Sequence, residues 1–207
     1  MNFGFLLLNN LEELDFVGPW EVFSAWREYP SGPKSCFTVA EKKEVITCVN
    51  GLKIIPDFKF SDCPVLDFLL IPGGIGTRKE LENELLIQFV QKHAASCMHV
   101  LSVCTGSLIL QAAGLLQDKK ATTYWSCHKE LQECGDVSVV EERFVRDNNI
   151  WTAAGVSAGI DMALALIADQ AGEETAGKVQ LYIEYYPSTI KYGRAHLDEK
   201  VPKYIKR

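Results

Sequence analysis

Short apolar runs that end in a turn and give way to a helix opener recur along this chain. That alternation dictates an α/β fold built on a mainly parallel sheet. FGFLLL (3–8) is continuous and mostly apolar, the signature of a strand covered on both faces. Asp15-Phe-Val-Gly-Pro-Trp-Glu-Val-Phe then opens a helix, with Pro19 suited to its first turn and Trp20, Phe23 and Trp26 at helical spacing. CFTVAEK (36–42) is predicted as a strand, and Asn50-Gly51 inside VITCVNGLKIIP (45–56) as the turn of a hairpin.

The pattern continues to the end of the domain. A buried strand over 67–71 runs into Pro72-Gly73-Gly74-Ile75-Gly76, followed by one long helix over 77–94 with Leu81, Leu85, Phe89 and Val90 as its apolar stripe. MHVLSV (98–103) is the next strand and 105–116 the next helix, stopped by Gly114. A short strand is expected over 121–123, and Ser126 is expected to cap a short helix ending near Leu131. RFVRDNNIWTAA (143–154) reads as a second hairpin turning at 147–149, before helices near 157–170 and 173–186. Residues 1–187 form one predicted domain, and 188–207 a tail that lies on the surface or on a partner subunit.

Composition narrows the function classes. The chain has 207 residues, and 47% of them are apolar, ample for a core. Its 21 basic and 27 acidic residues leave a net charge of −6, with no electrostatic pull towards nucleic acid. No apolar run reaches the length of a membrane span, and the N-terminus lacks the charged start of a signal peptide. Seven cysteines, an odd count without any C-x-x-C pair, suggest neither a disulfide framework nor a zinc site; reduced thiols in the cytoplasm are expected.

Cys104 stands apart from the other six. A strand ending at Val103 and a helix beginning near Thr105 leave it on a tight turn at the carboxyl edge of the sheet, the placement of a nucleophile elbow. Unpaired N–H groups at a helix start are expected to lower its pKa. The alternative is a packing cysteine at the end of a strand. Gly73 and Gly74 end a neighbouring strand and allow backbone N–H groups to approach a bound group, although an ordinary turn explains them too. No histidine follows Cys104: His93 and His99 read as structural, His128 and His196 as surface residues. Asp15, just past the first strand, reaches the same sheet edge if the strands are parallel; a plain turn-forming role is equally open.

Several stretches occur together in order: Leu14-Asp15-Phe-Val-Gly-Pro-Trp-Glu-Val-Phe, Ile71-Pro-Gly-Gly-Ile-Gly, Ser102-Val-Cys-Thr-Gly-Ser-Leu, Ala112-Ala-Gly-Leu-Leu, Ala121-Thr-Thr-Tyr-Trp, Val156-Ser-Ala-Gly-Ile-Asp and Val179-Gln-Leu-Tyr-Ile-Glu-Tyr. As a set they resemble the ThiJ/PfpI superfamily (class I glutamine amidotransferase-like), and within it the isonitrile hydratases, over about residues 3–187. The resemblance implies a flavodoxin-like α/β sandwich, a homodimer, no metal or organic cofactor, and a small-molecule substrate. It places the nucleophile on Cys104, its acidic partner on Asp15, and Thr105 beside them. Substrate or oxyanion contacts fall on Gly73, Gly74, Ile75, Tyr124 and Trp125. The family usually reads Ala-Thr-Thr-His-Trp where this chain has Tyr124, which bears on substrate range and proton handling. Implied chemistry is hydration of an isonitrile to an N-substituted formamide through a Cys104 thioimidate. Glyoxalase- or deglycase-like action on dicarbonyls and cysteine redox sensing are the alternatives. The ligand-binding half of a regulator is disfavoured, since no helix-turn-helix pattern follows Tyr186.

Overall fold

The longest apolar runs become the middle of one sheet. In the computed structural model, which describes residues 1–188 and 190–206, β1 (Asn2–Leu6) leads to α1 (Glu13–Trp26) and β2 (Ser35–Ala40). The Asn50-Gly51 hairpin forms as β3 (Ile46–Thr47) and β4 (Lys53–Ile54), paired antiparallel with Gly51 at φ +94°. β5 (Phe58–Lys59) and β6 (Phe68–Ile71) follow, then α2 (Thr77–Glu80), α3 (Glu84–Ala94), β7 (His99–Val103) and α4 (Gly106–Ala112). β8 (Lys119–Ala121), α5 (His128–Glu133) and β9 (Val137–Val139) form a small annex. The second expected hairpin is β10 (Phe144–Asp147) and β11 (Ile150–Ala153), before α6 (Ala158–Ala171), α7 (Glu173–Tyr182) and, in the tail, α8 (Lys203–Lys206).

The main sheet runs β10-β11-β7-β6-β1-β2-β5, parallel throughout except at the β10–β11 edge. Every residue of β6 and β7 is buried, so helices cover both faces of the centre. This is the mainly parallel α/β architecture that the alternation predicts, and the flavodoxin-like sandwich that the resemblance implies. Phe3, Phe5, Phe23, Phe68 and Trp26 fill one layer, with the Phe3 and Phe23 rings 4.1 Å apart. Because β1, β6 and β7 are parallel neighbours, their carboxyl ends, and the turns that carry Asp15, Gly73 and Cys104, open at one edge.

Five local expectations change. Pro19 is the seventh residue of α1, not in its first turn. There it removes one helical hydrogen bond, but its ring packs so closely on α6 that a Cβ on Gly159 would lie 2.9 Å from Pro19 Cγ. The long helix over 77–94 is two helices, because the Asn83 side chain accepts a hydrogen bond from the Leu86 N–H (3.2 Å) and starts α3 afresh. That break rotates the inward face: Leu86, Phe89, Val90 and His93 are buried while Leu85 is 61% exposed. Ser126 does not cap α5, whose first turn follows a 3-10 turn at Trp125–Cys127 without a side-chain cap. Helix α7 ends at Tyr182 rather than 186, and Glu184 just beyond it takes φ +48°.

The tail from Pro187 is mostly exposed, but Pro202 is buried and Tyr204 packs on the core. All seven cysteines are free. Among the described residues no helix is long and apolar enough to cross a membrane, and no group of three or more His, Cys, Asp or Glu is placed to hold a metal ion.

Candidate active site

Strand β7 ends and the chain turns at once into α4, leaving Cys104 at φ +55°, the left-handed region that L-residues rarely occupy. Backbone hydrogen bonds hold it there. The Cys104 N–H donates to the carbonyls of Ala153 (3.0 Å) and Ala154 (2.9 Å), and the Thr123 hydroxyl donates to the Cys104 carbonyl (2.9 Å). The elbow is therefore fixed from two neighbouring segments.

Asp15 lies on the first turn of α1 with no exposed surface. The Gly73 N–H donates to its Oδ2 at 2.9 Å. Asp15 Oδ1 is buried without a formed hydrogen bond, and the carboxyl lies close enough to the Cys104 thiol to interact with it. The site needs glycine at 73: a Cβ there would sit 2.5 Å from the Thr105 nitrogen, 2.8 Å from Asp15 Oδ2 and 2.8 Å from Cys104 Cβ. The Thr105 hydroxyl makes no hydrogen bond to the carboxyl. Its hydroxyl accepts from the Gly74 N–H (3.0 Å), donates to the Gly74 carbonyl (3.1 Å), and lies 3.1 Å from Thr77 Oγ1. Thr105 thus locks the glycine loop, and both glycine N–H groups are already bonded within the protein.

Burial decides the ionisation of the pair. Asp15 is held well above the usual carboxylate range by burial, despite the Gly73 N–H and the thiol. Cys104 is pushed up to about 12, first by burial and then by Asp15; hydrogen bonds from the Thr105 and Val156 N–H groups only moderate the rise. Burial outweighs the lowering expected from a helix start, since Cys104 is only 7% exposed and an acid faces it. The protons of this pair belong to both groups together.

A cavity of about 510 Å³ opens over the sulfur, within the size range of small-molecule sites. Cys104, Thr105, Gly74, Ile75 and Tyr124 line it, while Gly73 lies behind the lining. Trp125 does not: it faces the tail in a separate cavity of about 840 Å³ with Tyr192 and Leu197. The Tyr124 ring packs directly on Gly155; a Cβ there would be 2.6 Å from the ring. The cavity wall also contains Glu12, Arg78, Ser126, Cys127 and Val156, none of them expected at the site from sequence. Arg78 donates to Glu130 (2.6 Å) and to Cys127 Sγ (3.2 Å). His93 and His99 are buried in packing roles, and His128 is half-buried rather than on the surface, its Nε2 without a partner.

The family model described as DJ-1/PfpI matches residues 3–169. The chain belongs to the DJ-1/PfpI family. Within this family, the isonitrile hydratase of Pseudomonas putida is 41% identical over 188 residues, covering 91% of this chain and 80% of that protein. The HTH-type transcriptional regulator GbdR of Pseudomonas aeruginosa is 29% identical over 85% of this chain, which spans about half of that protein (48%). A ThiJ/PfpI family protein from Pseudomonas syringae has a TM-score of 0.86 at 33% identity, covering 99% of this chain and 82% of that one. DJ-1beta of Drosophila melanogaster, at 21% identity and TM-score 0.76 over 90% of this chain and 98% of its own, shares the fold.

Proposed function

We propose that this DJ-1/PfpI protein is a cofactor-independent isonitrile hydratase, converting R–NC and water to an N-substituted formamide with Cys104 as nucleophile and Asp15 as acid and base. The carrying observation is the buried Cys104–Asp15 pair at the floor of a small-molecule cavity, in a chain 41% identical to an isonitrile hydratase.

An isonitrile carbon is both an electrophile for sulfur and a base for a proton, so a neutral thiol beside a protonated carboxyl suits it. Cys104 Sγ bonds to that carbon while Asp15 passes it a proton and takes the proton from sulfur, giving the thioimidate R–N=CH–S. Water then adds to the same carbon, giving one proton to Asp15 as Asp15 gives its own to nitrogen. Collapse of the R–NH–CH(OH)–S intermediate forms the carbonyl, breaks the C–S bond and returns the hydroxyl proton to sulfur through Asp15. Thr105 and Val156 N–H groups stabilise the sulfur as it gains negative charge. Thr105 Oγ1, Thr77, Gly73 and Gly74 hold the loop and the carboxyl, while Ile75 and Tyr124 shape the space for R.

The functional unit is a homodimer in the cytoplasm. Reduced cysteines suit that compartment. A second copy fits the exposed apolar face formed by Leu14 and Val17 of α1 with Val49 and Leu52 of the hairpin. The Asn50 N–H donates to Glu13 Oε1 (2.7 Å) and joins these two elements. Sedimentation gives the oligomeric state directly.

The test of the activity is to mix the protein with an alkyl isonitrile and follow the formamide by NMR, with Cys104→Ala alongside. Formamide from wild type alone supports the reading. Its absence, from protein whose Cys104 still reacts with a thiol probe, overturns it.

A further inference from the structure

Two of the ordered motifs, Val156-Ser-Ala-Gly-Ile-Asp and the stretch ending at Tyr185, contribute no side chain to the chemistry above, yet they meet at one point. Arg143, beside the start of β10, donates through Nε and Nη2 to Asp161 Oδ2 (2.6 Å each) and through Nη2 to Ser157 Oγ (3.1 Å). The Tyr185 hydroxyl donates to the same carboxylate oxygen (3.3 Å). The Ala154 N–H donates to the Arg143 carbonyl (2.9 Å), and the Ala153 and Ala154 carbonyls receive the Cys104 N–H. Between this clamp and the sulfur stands Val156, a β-branched residue at φ +37° lining the cavity with Cys104. Such a conformation persists only where the surroundings over-determine it.

We infer that Arg143 is a positioning residue for the reaction at Cys104: by tying Ser157 and Asp161 to the segment that enters β10, it fixes the first turn of α6 and aims the Val156 N–H at the sulfur. A guanidinium suits this task because its planar fork bonds a carboxylate and a hydroxyl at fixed angles, which an ammonium cannot. The inference rests on the proposed role of Cys104 as nucleophile. The groups that bear on the sulfur besides this N–H are the Thr105 N–H, Asp15 from α1, Cys127 from the turn before α5, and Tyr204 from the tail; those around Arg143 are Asp161, Tyr185 and Tyr204, with Glu141 also acting on Tyr204.

The same hairpin contains its own control. Arg146 pairs with Asp169 near the far end of α6, well away from Val156 in sequence, so Arg146→Gln weakens the hairpin–helix contact without touching the clamp. Two readouts are measured on Arg143→Gln, Arg143→Lys, Ser157→Ala and Arg146→Gln: the rate of Cys104 alkylation by iodoacetamide against pH, and kcat and KM for an alkyl isonitrile. Arg143→Gln is expected to move the alkylation profile to higher pH and to lower kcat about tenfold or more with KM little changed, as for loss of a transition-state donor. Arg143→Lys should restore part of the loss, and Ser157→Ala should show a smaller shift in the same direction. Arg146→Gln should lower the melting temperature and leave both readouts alone. The alkylation profile needs no isonitrile turnover, so it stands even if the hydratase reading fails. Profiles of Arg143→Gln and Ser157→Ala that superimpose on wild type overturn the inference. Should Arg143→Gln not fold, Ser157→Ala and Arg143→Lys decide it by the same criterion.

Discussion

Two turns leave neighbouring strands at the same edge of the sheet, and they solve the same problem differently. After β6 the chain turns through Pro72–Gly76, and its positive φ (+119°) falls on Gly74, where no side chain resists. After β7 the chain turns at Cys104, whose φ of +55° falls on a residue that prefers other conformations by about 1–2 kcal/mol. The first turn is built to fit: without Cβ atoms its backbone lies against Asp15, Thr105 and Asn10. The second tolerates strain, because the left-handed geometry aims the thiol into the cavity. Strain at a site of proposed chemistry and relaxation beside it are therefore complementary.

The hardest blow to this contrast is removal of the thiol. Cys104→Ala is expected to reduce formamide production by about 10³-fold or more while leaving the fold intact, measured by NMR turnover and circular dichroism. Residual turnover near the wild-type rate would detach the strained turn from catalysis.

Asp15→Asn comes next, with an expected fall in kcat of about 10²–10³-fold. It also tests the ionisation. Asp15 has a folded pKa raised above its ordinary 3.8, so the folded chain holds this proton more tightly than the unfolded one. Stability from this group is present in full below 3.8 and is lost as pH rises towards the raised value. Thermal melts should show wild type losing stability across that window relative to Asp15→Asn, which should be flatter. A steeper loss in the variant would show that another group controls the trend. Cys104 acts likewise between about 9 and about 12, and Cys104→Ala should remove that alkaline decline.

The relaxed turn is sharpened by Gly73→Ala, whose methyl would collide with the Thr105 nitrogen, Asp15 Oδ2 and Cys104 Cβ. A loss of about 1–3 kcal/mol in chemical denaturation is expected, together with loss of activity. The smallest effect is on the strained turn: Cys104→Gly should be more stable than Cys104→Ala by a few tenths to about 1 kcal/mol, against the usual cost of glycine. The opposite order would mean that no strain is stored there.

Much of this molecule is local in origin. Apolar runs bounded by turns gave β1, β2, β6 and β7, Asn50-Gly51 and the Asp147–Asn149 turn gave the two hairpins, and the strand-to-helix junction singled out Cys104, whereas the two-residue edge strand β5 has no such signal. Such features are legible because period, turn chemistry and capping act within a few residues. Where two local signals competed, the reading failed: an unbroken apolar stripe masked the Asn83 cap, and Pro19 looked like a helix start although packing on Gly159 places it mid-helix. Trp125 adjoins Tyr124 in sequence and their rings lie 5.8 Å apart, but Trp125 lines another cavity against the distant tail, which no local signal places.

The sequence by itself determined the sheet, its open edge and the candidacy of Cys104 and Asp15. Only tertiary structure decided what those residues are electrically and what surrounds them. A helix start alone would lower a thiol pKa; burial beside a carboxyl raises it, and burial is set by chain segments tens of residues away. The Val156 N–H, the Arg143 clamp and the Arg78–Cys127–Glu130 wall are contacts between separate elements. Nothing local encodes them, because each depends on how helices settle on the finished sheet.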